Sequence, residues 1–309
     1  MATEIETLER NQELTDAITG GRVKQASDAV TDYTRTRITE EGFMGKFLPQ
    51  IPITDADLVP DVNDPRPMVV VEKQANSPGA VSVPFATAPR RAWLKAPRYA
   101  VTMSRIVTNQ FQIDVDYLRS YKLDLRQQVS DQAVRDISTE EDASFIETIN
   151  SVLVAPDTNL PAHGNNPLWK TISGGFTREV IKEVKGVLRV GPASLSAEKM
   201  LMNHITILEY EAMYREEIGG DLAEDIFKNG FTEGRHGGVE LYSTIKRALV
   251  PDDSIYLFAG DKFIGKNFVL RDTVMHIKAE HFMVQFFAYK TAGAAIGNIT
   301  GIGRVDIAE

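Results

Sequence analysis

Residues 111–154 read FQIDVDYLRSYKLDLRQQVSDQAVRDISTEEDASFIETINSVLV, and this stretch decides the fold. Ile113-Asp114-Val115-Asp116 leads in. Leu118, Tyr121, Leu125, Val129, Ala133 and Ile137 then recur at helical spacing, and Phe145, Ile146, Ile149 and Val152 continue the apolar face. Ser138 with Glu141 three residues on matches a capping box, so the helix either restarts there or runs straight through. Pro156 ends it in both cases. Between Asp131 and Glu147 stand the acids Asp131, Asp136, Glu140, Glu141, Asp142 and Glu147 against one base, Arg135. Such a run on a helix is ordinarily a solvated face.

The segment just before this helix has the opposite charge. From Lys73 to Ile113 there is no Asp or Glu, while Lys73, Arg90, Arg91, Lys95, Arg98 and Arg105 are present. The block follows the strand-like Met68-Val69-Val70-Val71 and runs into Tyr99-Ala100-Val101-Thr102-Met103. Between them lie the turn signal Asn76-Ser77-Pro78-Gly79 and the alternating Val81-Ser82-Val83-Pro84-Phe85. This reads as a long β-hairpin with a basic face, or else as a nucleic-acid-binding ribbon or solvated loop. The aromatics are too few to interleave with the basic residues as stacking platforms. A two-stranded hairpin is marginal alone in water and should lean on another surface.

Further out, Pro49, Pro52, Pro60, Pro65 and Pro67 impose extended backbone on a crossing linker. The first forty residues read as two weakly amphipathic helices broken at Gly20-Gly21, with Leu8, Leu14, Ile18, Val23, Val30 and Ile38 thinly spread. That suits an arm lying on something else, or an ordinary helical lead-in. On the other side, residues 157–176 read as loop and Thr177 caps a helix over 178–189. Lys199–Asn203 reads as strand, Ile205–Glu217 and Asp221–Asn229 as helices. The tail offers strands at Val239–Tyr242, Ser254–Phe258, Phe268–Leu270, Val274–Lys278 and Phe282–Ala288. The fold class is α+β.

Composition narrows the chemistry. The 309 residues carry 34 Lys and Arg against 43 Asp and Glu, a net charge of −9, with 43% apolar residues. Length sets a soft prior of about two domains. The acidic balance argues against a chain whose main task is gripping nucleic acid. The absence of cysteine excludes disulfides, thiolate metal sites and cysteine nucleophiles. Met1 to Arg10 has no apolar signal-peptide core, and no window is apolar enough to span a membrane. No phosphate loop and no nucleophile elbow is present. Gly297, Gly301 and Gly303 lack the strand and helix context of a dinucleotide site and read as turn glycines. No histidine pair has zinc spacing; His276 and His281 flank a turn between strands. Residues 230–238 read as a binding loop or as a tip at a subunit junction. No catalytic, cofactor-binding or metal residue is assigned, and no cofactor is expected. Arm and hairpin both look unable to stabilise themselves, as in a subunit completed by its neighbours.

This order of elements resembles the major capsid protein of tailed double-stranded DNA phages, the Hong Kong 97-type fold. The residues that carry the likeness are Phe111 to Leu118, Leu125-Arg126-Gln127-Gln128 and Ile137 to Ile146. A second patch runs from Gly238-Val239-Glu240-Leu241-Tyr242-Ser243 through Val250-Pro251-Asp252-Asp253-Ser254-Ile255-Tyr256-Leu257-Phe258. A third is Val284 to Lys290 with Gly293 to Ile296 and Gly303-Arg304-Val305. Encapsulin shell proteins look similar.

The resemblance implies an N-terminal arm at 1–62, an extended loop at 63–110 and a peripheral domain with the spine helix at 111–176. An axial domain would hold 177–265, and 266–309 would return to the core. It implies a structural, non-enzymatic subunit of an icosahedral shell, located in the virion and assembled in the host cytoplasm as hexamers and pentamers. Double-stranded DNA would be enclosed by containment, with a portal, a separate scaffolding protein and a decoration protein as candidate partners, and no membrane. Other classes weighed are a hydrolase with a carboxylate site and a nucleic-acid-binding module. The expected intersubunit contact sets Phe85, Arg90, Arg91, Trp93, Leu94, Lys95 and Arg98 of the loop against Glu140, Glu141 and Asp142 of a neighbour's spine helix. A hairpin of about twenty residues per strand reaches roughly 60 Å at 3.3 Å per residue, far from its own helix.

Overall fold

A computed structural model describes residues 42–61, 64–72, 82, 98–120, 125–154, 168–174, 177–191, 193–209, 233–236 and 238–308, with Asn11 to Glu13, Thr15, Asp16, Lys24, Ser27 and Thr31. Its frame is one long helix laid across two sheets. The chain enters through a short helix, α1 (Met44–Phe47), and strand β1 (Gln50–Pro52). Strands β2 (Met68–Glu72) and β3 (Arg98–Thr102) pair antiparallel, so the base of the expected hairpin is present; the strand at Val81 to Phe85 lies outside the described residues. Then come β4 (Ser104–Val107), β5 (Phe111–Asp114), α2 (Val115–Ser120) and α3 (Leu125–Val154). The helix passes straight through position 138, where the Ser138 hydroxyl donates back to the Arg135 carbonyl instead of capping a new start.

Five strands form the first sheet. Its path is β1, β11 (Gly265–Glu280), β12 (Met283–Ile296) and β4, with β5 also on β12. The two strands expected at 268–270 and 274–278 are one, bent by register shifts between Val269 and Val274. His276 therefore sits within β11, stacked on Phe287 with ring centroids 4.7 Å apart, and His281 holds the turn at φ 55°. Gly293 lets β12 pass beneath the hairpin: a Cβ there would lie 2.8 Å from the Thr102 carbonyl oxygen.

Six strands form the second sheet: β6 (Trp169–Ser173), β13 (Ile302–Ala308), β10 (Ser254–Phe258), β7 (Lys199–Asn203), β9 (Val239–Thr244) and β8 (Glu233–His236). Three of these depart from the sequence reading. Part of the loop expected at 157–176 is β6, Glu233–His236 within the loop expected at 230–238 form β8, and Gly303 lies in β13 rather than in a turn. Helix α4 (Arg178–Val190) starts as expected, with the Thr177 hydroxyl accepting from the Val180 amide. Strand β10, all five residues buried, lies centrally, which explains its unbroken apolar run.

The long helix divides its burial between the sheets. Val129, Ala133, Val134 and Ile137 pack on the first sheet with Met275, Ile277, Val284, Phe286 and Ala288. Phe145, Ile146, Ile149 and Leu153 enter the second core, where Phe47 stacks on Phe145 at 6.2 Å and meets Phe258 at 4.4 Å. The described residues of the first forty are helical, and Asn11, Thr15 and Thr31 are buried. Met275 of β11 donates its amide to the Thr31 hydroxyl at 3.0 Å, and the Ser27 hydroxyl donates to the Met275 carbonyl. Ser27 and Thr31 thus occupy the outward backbone groups of Met275 at the β11 edge.

Candidate assembly surfaces and a buried charge junction

The hairpin base shows how the extended loop is held. Its inner face, Val69 and Val101, joins Met103, Phe268 and Ala295 in a small core, with Ile51, Leu58 and Tyr99 against it. At its open end Arg98 pairs with Glu72 across the strands at 2.7 Å, both well exposed. Arg98 therefore has a partner in its own hairpin. Phe85, Arg90, Arg91, Trp93, Leu94 and Lys95 lie outside the described residues.

The spine-helix side requires a correction. Of the three acids expected to meet a neighbour, only Glu140 is exposed. Glu141 and Asp142 are buried where the helix passes from one sheet to the other. Glu141 meets Lys290 of β12 at 2.7 Å, with the two side chains 9% and 2% exposed. Asp142 takes Lys246, just after β9, at 2.6 Å and accepts the Met44 amide at 2.9 Å and the Phe43 amide at 3.4 Å. Lys246 also reaches the Ser138 hydroxyl at 3.5 Å and lies 5.8 Å from the Phe43 ring. Adjacent residues on a helix point about 100° apart. One carboxylate thus ties the helix to the five-stranded sheet, and the next ties it to the six-stranded sheet and the chain entry. Both carboxylates thus meet a lysine of their own subunit.

Burial raises the affinity of both carboxyls for protons above the ordinary range. Lys290 pulls Glu141 back down and Lys246 pulls Asp142 back down, with Asp272 adding repulsion at Glu141. Sequence periodicity carried a signal that was missed. In the first part of β12 burial alternates through Val284, Phe286 and Ala288, and Lys290 continues that parity. Glu141 stands four residues from both Ile137 and Phe145, in the apolar stripe. A charge at a core position demands a buried partner.

A second polar cluster fixes the far part of the helix. Arg304 of β13 lies 4.5 Å from the Trp169 ring and 5.5 Å from the Tyr256 ring, and donates to Asp306 and Asn150 at 2.9 Å each. Asp306 also accepts from the Trp169 indole and the Ser254 hydroxyl, both at 2.7 Å. Burial raises the Tyr256 hydroxyl above its usual range.

What the exposed helix face offers is a groove of about 750 Å³ between α3 and β4, lined by Arg105, Val107, Asp136, Thr139, Glu140 and Ser144 among others. Among the described residues no group of three or more His, Asp or Glu is arranged to hold a metal ion, and no helix is long and apolar enough to cross a membrane.

No family model matches the chain, and no curated protein matches it. Solved structures do. The virus-like particle from Pyrococcus furiosus aligns at TM-score 0.53 with 12% identity, over 90% of this chain and 98% of that one. The mature capsid of bacteriophage PhiM1 aligns at 0.55 with 10% identity, over 86% and 87%. The Mycobacterium phage Ogopogo structure aligns at 0.56 with 9% identity, over 87% and 92%. At such identities the likeness is one of fold, and the fold is the Hong Kong 97-type capsid fold, α+β as expected.

Proposed function

We propose that this chain, folded as a Hong Kong 97-type capsid subunit, is the structural major capsid protein of a tailed phage. Copies assemble as hexamers and pentamers of an icosahedral shell that encloses double-stranded DNA. The observation that carries the reading is the alignment of about nine-tenths of the chain with shell subunits whose own length it nearly fills.

On this reading residues 1–62 are the arm, 63–110 the extended loop, 111–176 the peripheral domain, 177–265 the axial domain and 266–309 the returning strands. The acidic balance suits containment of DNA without specific grip. A scaffolding protein, a portal and a decoration protein are the further partners. Arg90, Arg91 and Lys95 of one copy pair with Glu140 and Asp136 on the exposed helix face of the next, with Phe85, Trp93 and Leu94 as the apolar anchor. Each exposed pair is worth about 0–1 kcal/mol, multiplied around every ring.

The 98% coverage of the virus-like particle favours a second reading, an encapsulin-like compartment shell. Size-exclusion chromatography with electron microscopy tests both: megadalton particles or rings are expected, and a small stable oligomer overturns them. Nuclease-protected double-stranded DNA in particles from infected cells decides for the capsid.

A further inference from the structure

Three residues lie side by side across the five-stranded sheet. Thr291 of β12 stands in register with Arg105 of β4 on one side and with Arg271 of β11 on the other. Residues paired in this way share a face. That face is the one turned away from α3. Gly293, two residues on, meets the hairpin base, whereas Phe286 and Ala288, of the other parity, pack under the helix. Arg105 and Arg271 are exposed, and neither has an ion-pair partner among the described residues. Arg271 sits between the two register shifts of β11, and bulges of this kind re-aim side chains. The Arg105 guanidinium lies 5.9 Å from the ring of Tyr289, on the same face. Asp272, next along β11, repels Glu141 on the α3 side of the sheet. Between the arginines lies a second, independent feature. Thr291 is 5% exposed, and its buried hydroxyl has no hydrogen-bond partner among the described residues. A polar group enclosed in this way carries its full desolvation cost until a partner arrives.

We propose that Arg105, Thr291 and Arg271 form a binding site for a free tetrahedral oxyanion of the phosphate class. Two strand spacings root the arginines about 10 Å apart, so their long side chains close on a guest from opposite sides while the hydroxyl meets it from the sheet. Donors thus arrive from three directions. A tetrahedral anion has an oxygen for each. A planar carboxylate has two oxygens along one edge and leaves one direction unmatched. Each guanidinium supplies a fork of charge-assisted hydrogen bonds, and the anion neutralises two like charges that share one face. All three residues belong to one chain, so the inference stands apart from the shell reading.

The test compares the full chain in inorganic phosphate and in chloride at equal ionic strength, so that general screening is the same. Phosphate should raise the unfolding temperature saturably, and calorimetric titration gives the dissociation constant. Arg105→Gln and Arg271→Gln should each weaken binding about tenfold. Lys278→Gln, which removes a basic residue of the same face already paired with Glu280, should leave it unchanged. Thr291→Val should weaken binding too, and in chloride should raise stability by removing the orphaned hydroxyl. No saturable binding, or equal weakening by Lys278→Gln, overturns the proposal. Dimethyl phosphate, with two free oxygens, should bind more weakly than inorganic phosphate; the reverse order overturns the free-anion assignment. Arginine-selective dicarbonyl modification, mapped by mass spectrometry, gives a reading independent of any variant. Phosphate should slow modification of Arg105 and Arg271 several-fold and leave exposed Arg135 of α3 unchanged. Equal slowing at all three arginines, or none, overturns the site.

Discussion

The two halves of α3 rest on surfaces of different character. The first half lays Val129, Ala133, Val134 and Ile137 on one face of the five-stranded sheet. The second sinks Phe145, Ile146, Ile149 and Leu153 into a core shared with Phe47, Tyr256 and Phe258. Small and branched side chains give a thin layer, and aromatics give a deep one. The difference separates two tasks. The six-stranded side holds most of the apolar burial, and its central strand is covered throughout. Among the described residues, the five-stranded side keeps an unpaired edge at β4, and Ser27 and Thr31 of the arm bond the backbone of Met275 at the edge of β11.

The contrast breaks first on core truncation. Phe145→Ala should cost about 3–5 kcal/mol, and Ile137→Ala, in the thinner layer, about 2 kcal/mol, both read by denaturant unfolding. Equal costs would mean that the two layers bear the fold alike.

A sharper test falls at the junction between the halves. Lys290→Met leaves Glu141 buried without its partner, a class of change worth about 3–5 kcal/mol. The low end is expected, because burial already favours the protonated form of Glu141 and a proton can take the lysine's place. Lys290→Met with Glu141→Leu should recover most of the loss. A double variant as unstable as the single one would show that the pair is not the unit.

The smallest effect is on pH dependence. Glu141 and Asp142 bind protons more tightly folded than unfolded, despite Lys290 and Lys246 beside them. Their protonated forms therefore add stability below the unfolded carboxyl range near pH 4, and that contribution is lost as pH rises through the raised values. The slope is at most about 1.4 kcal/mol per pH unit for each group. Relative to Glu141→Gln with Asp142→Asn, the native chain should gain stability on acidification from pH 7. A parallel profile for the two proteins would contradict the burial argument.

Much of this frame was legible because it is periodic. The long helix, β7, β10 and the Thr177 cap follow from spacing and end signals. What escaped is set by distant partners. Residues 169–173 carry Trp169 and Lys170 with Thr171, Ile172 and Ser173, a weak pattern that becomes strand because β13 lies alongside. Gly303 looks like a turn residue, yet it is a strand position where Leu188 of α4 packs close, 3.1 Å from where a Cβ would be. The acids on α3 were read together as a surface because charge runs on helices usually are one. Glu140 faces solvent and the next two residues do not, and that distinction required the parity of Lys290 and the position of Lys246.

The Glu141–Lys290 pair also constrains how such a sequence can drift. Replacing either residue alone strands a charge inside the molecule, so lineages that change one position first pass through a weakened protein. Replacing both by apolar residues of similar volume is tolerated. The two positions, 149 residues apart along the chain (290 − 141), should behave in a family tree as a single character that flips whole.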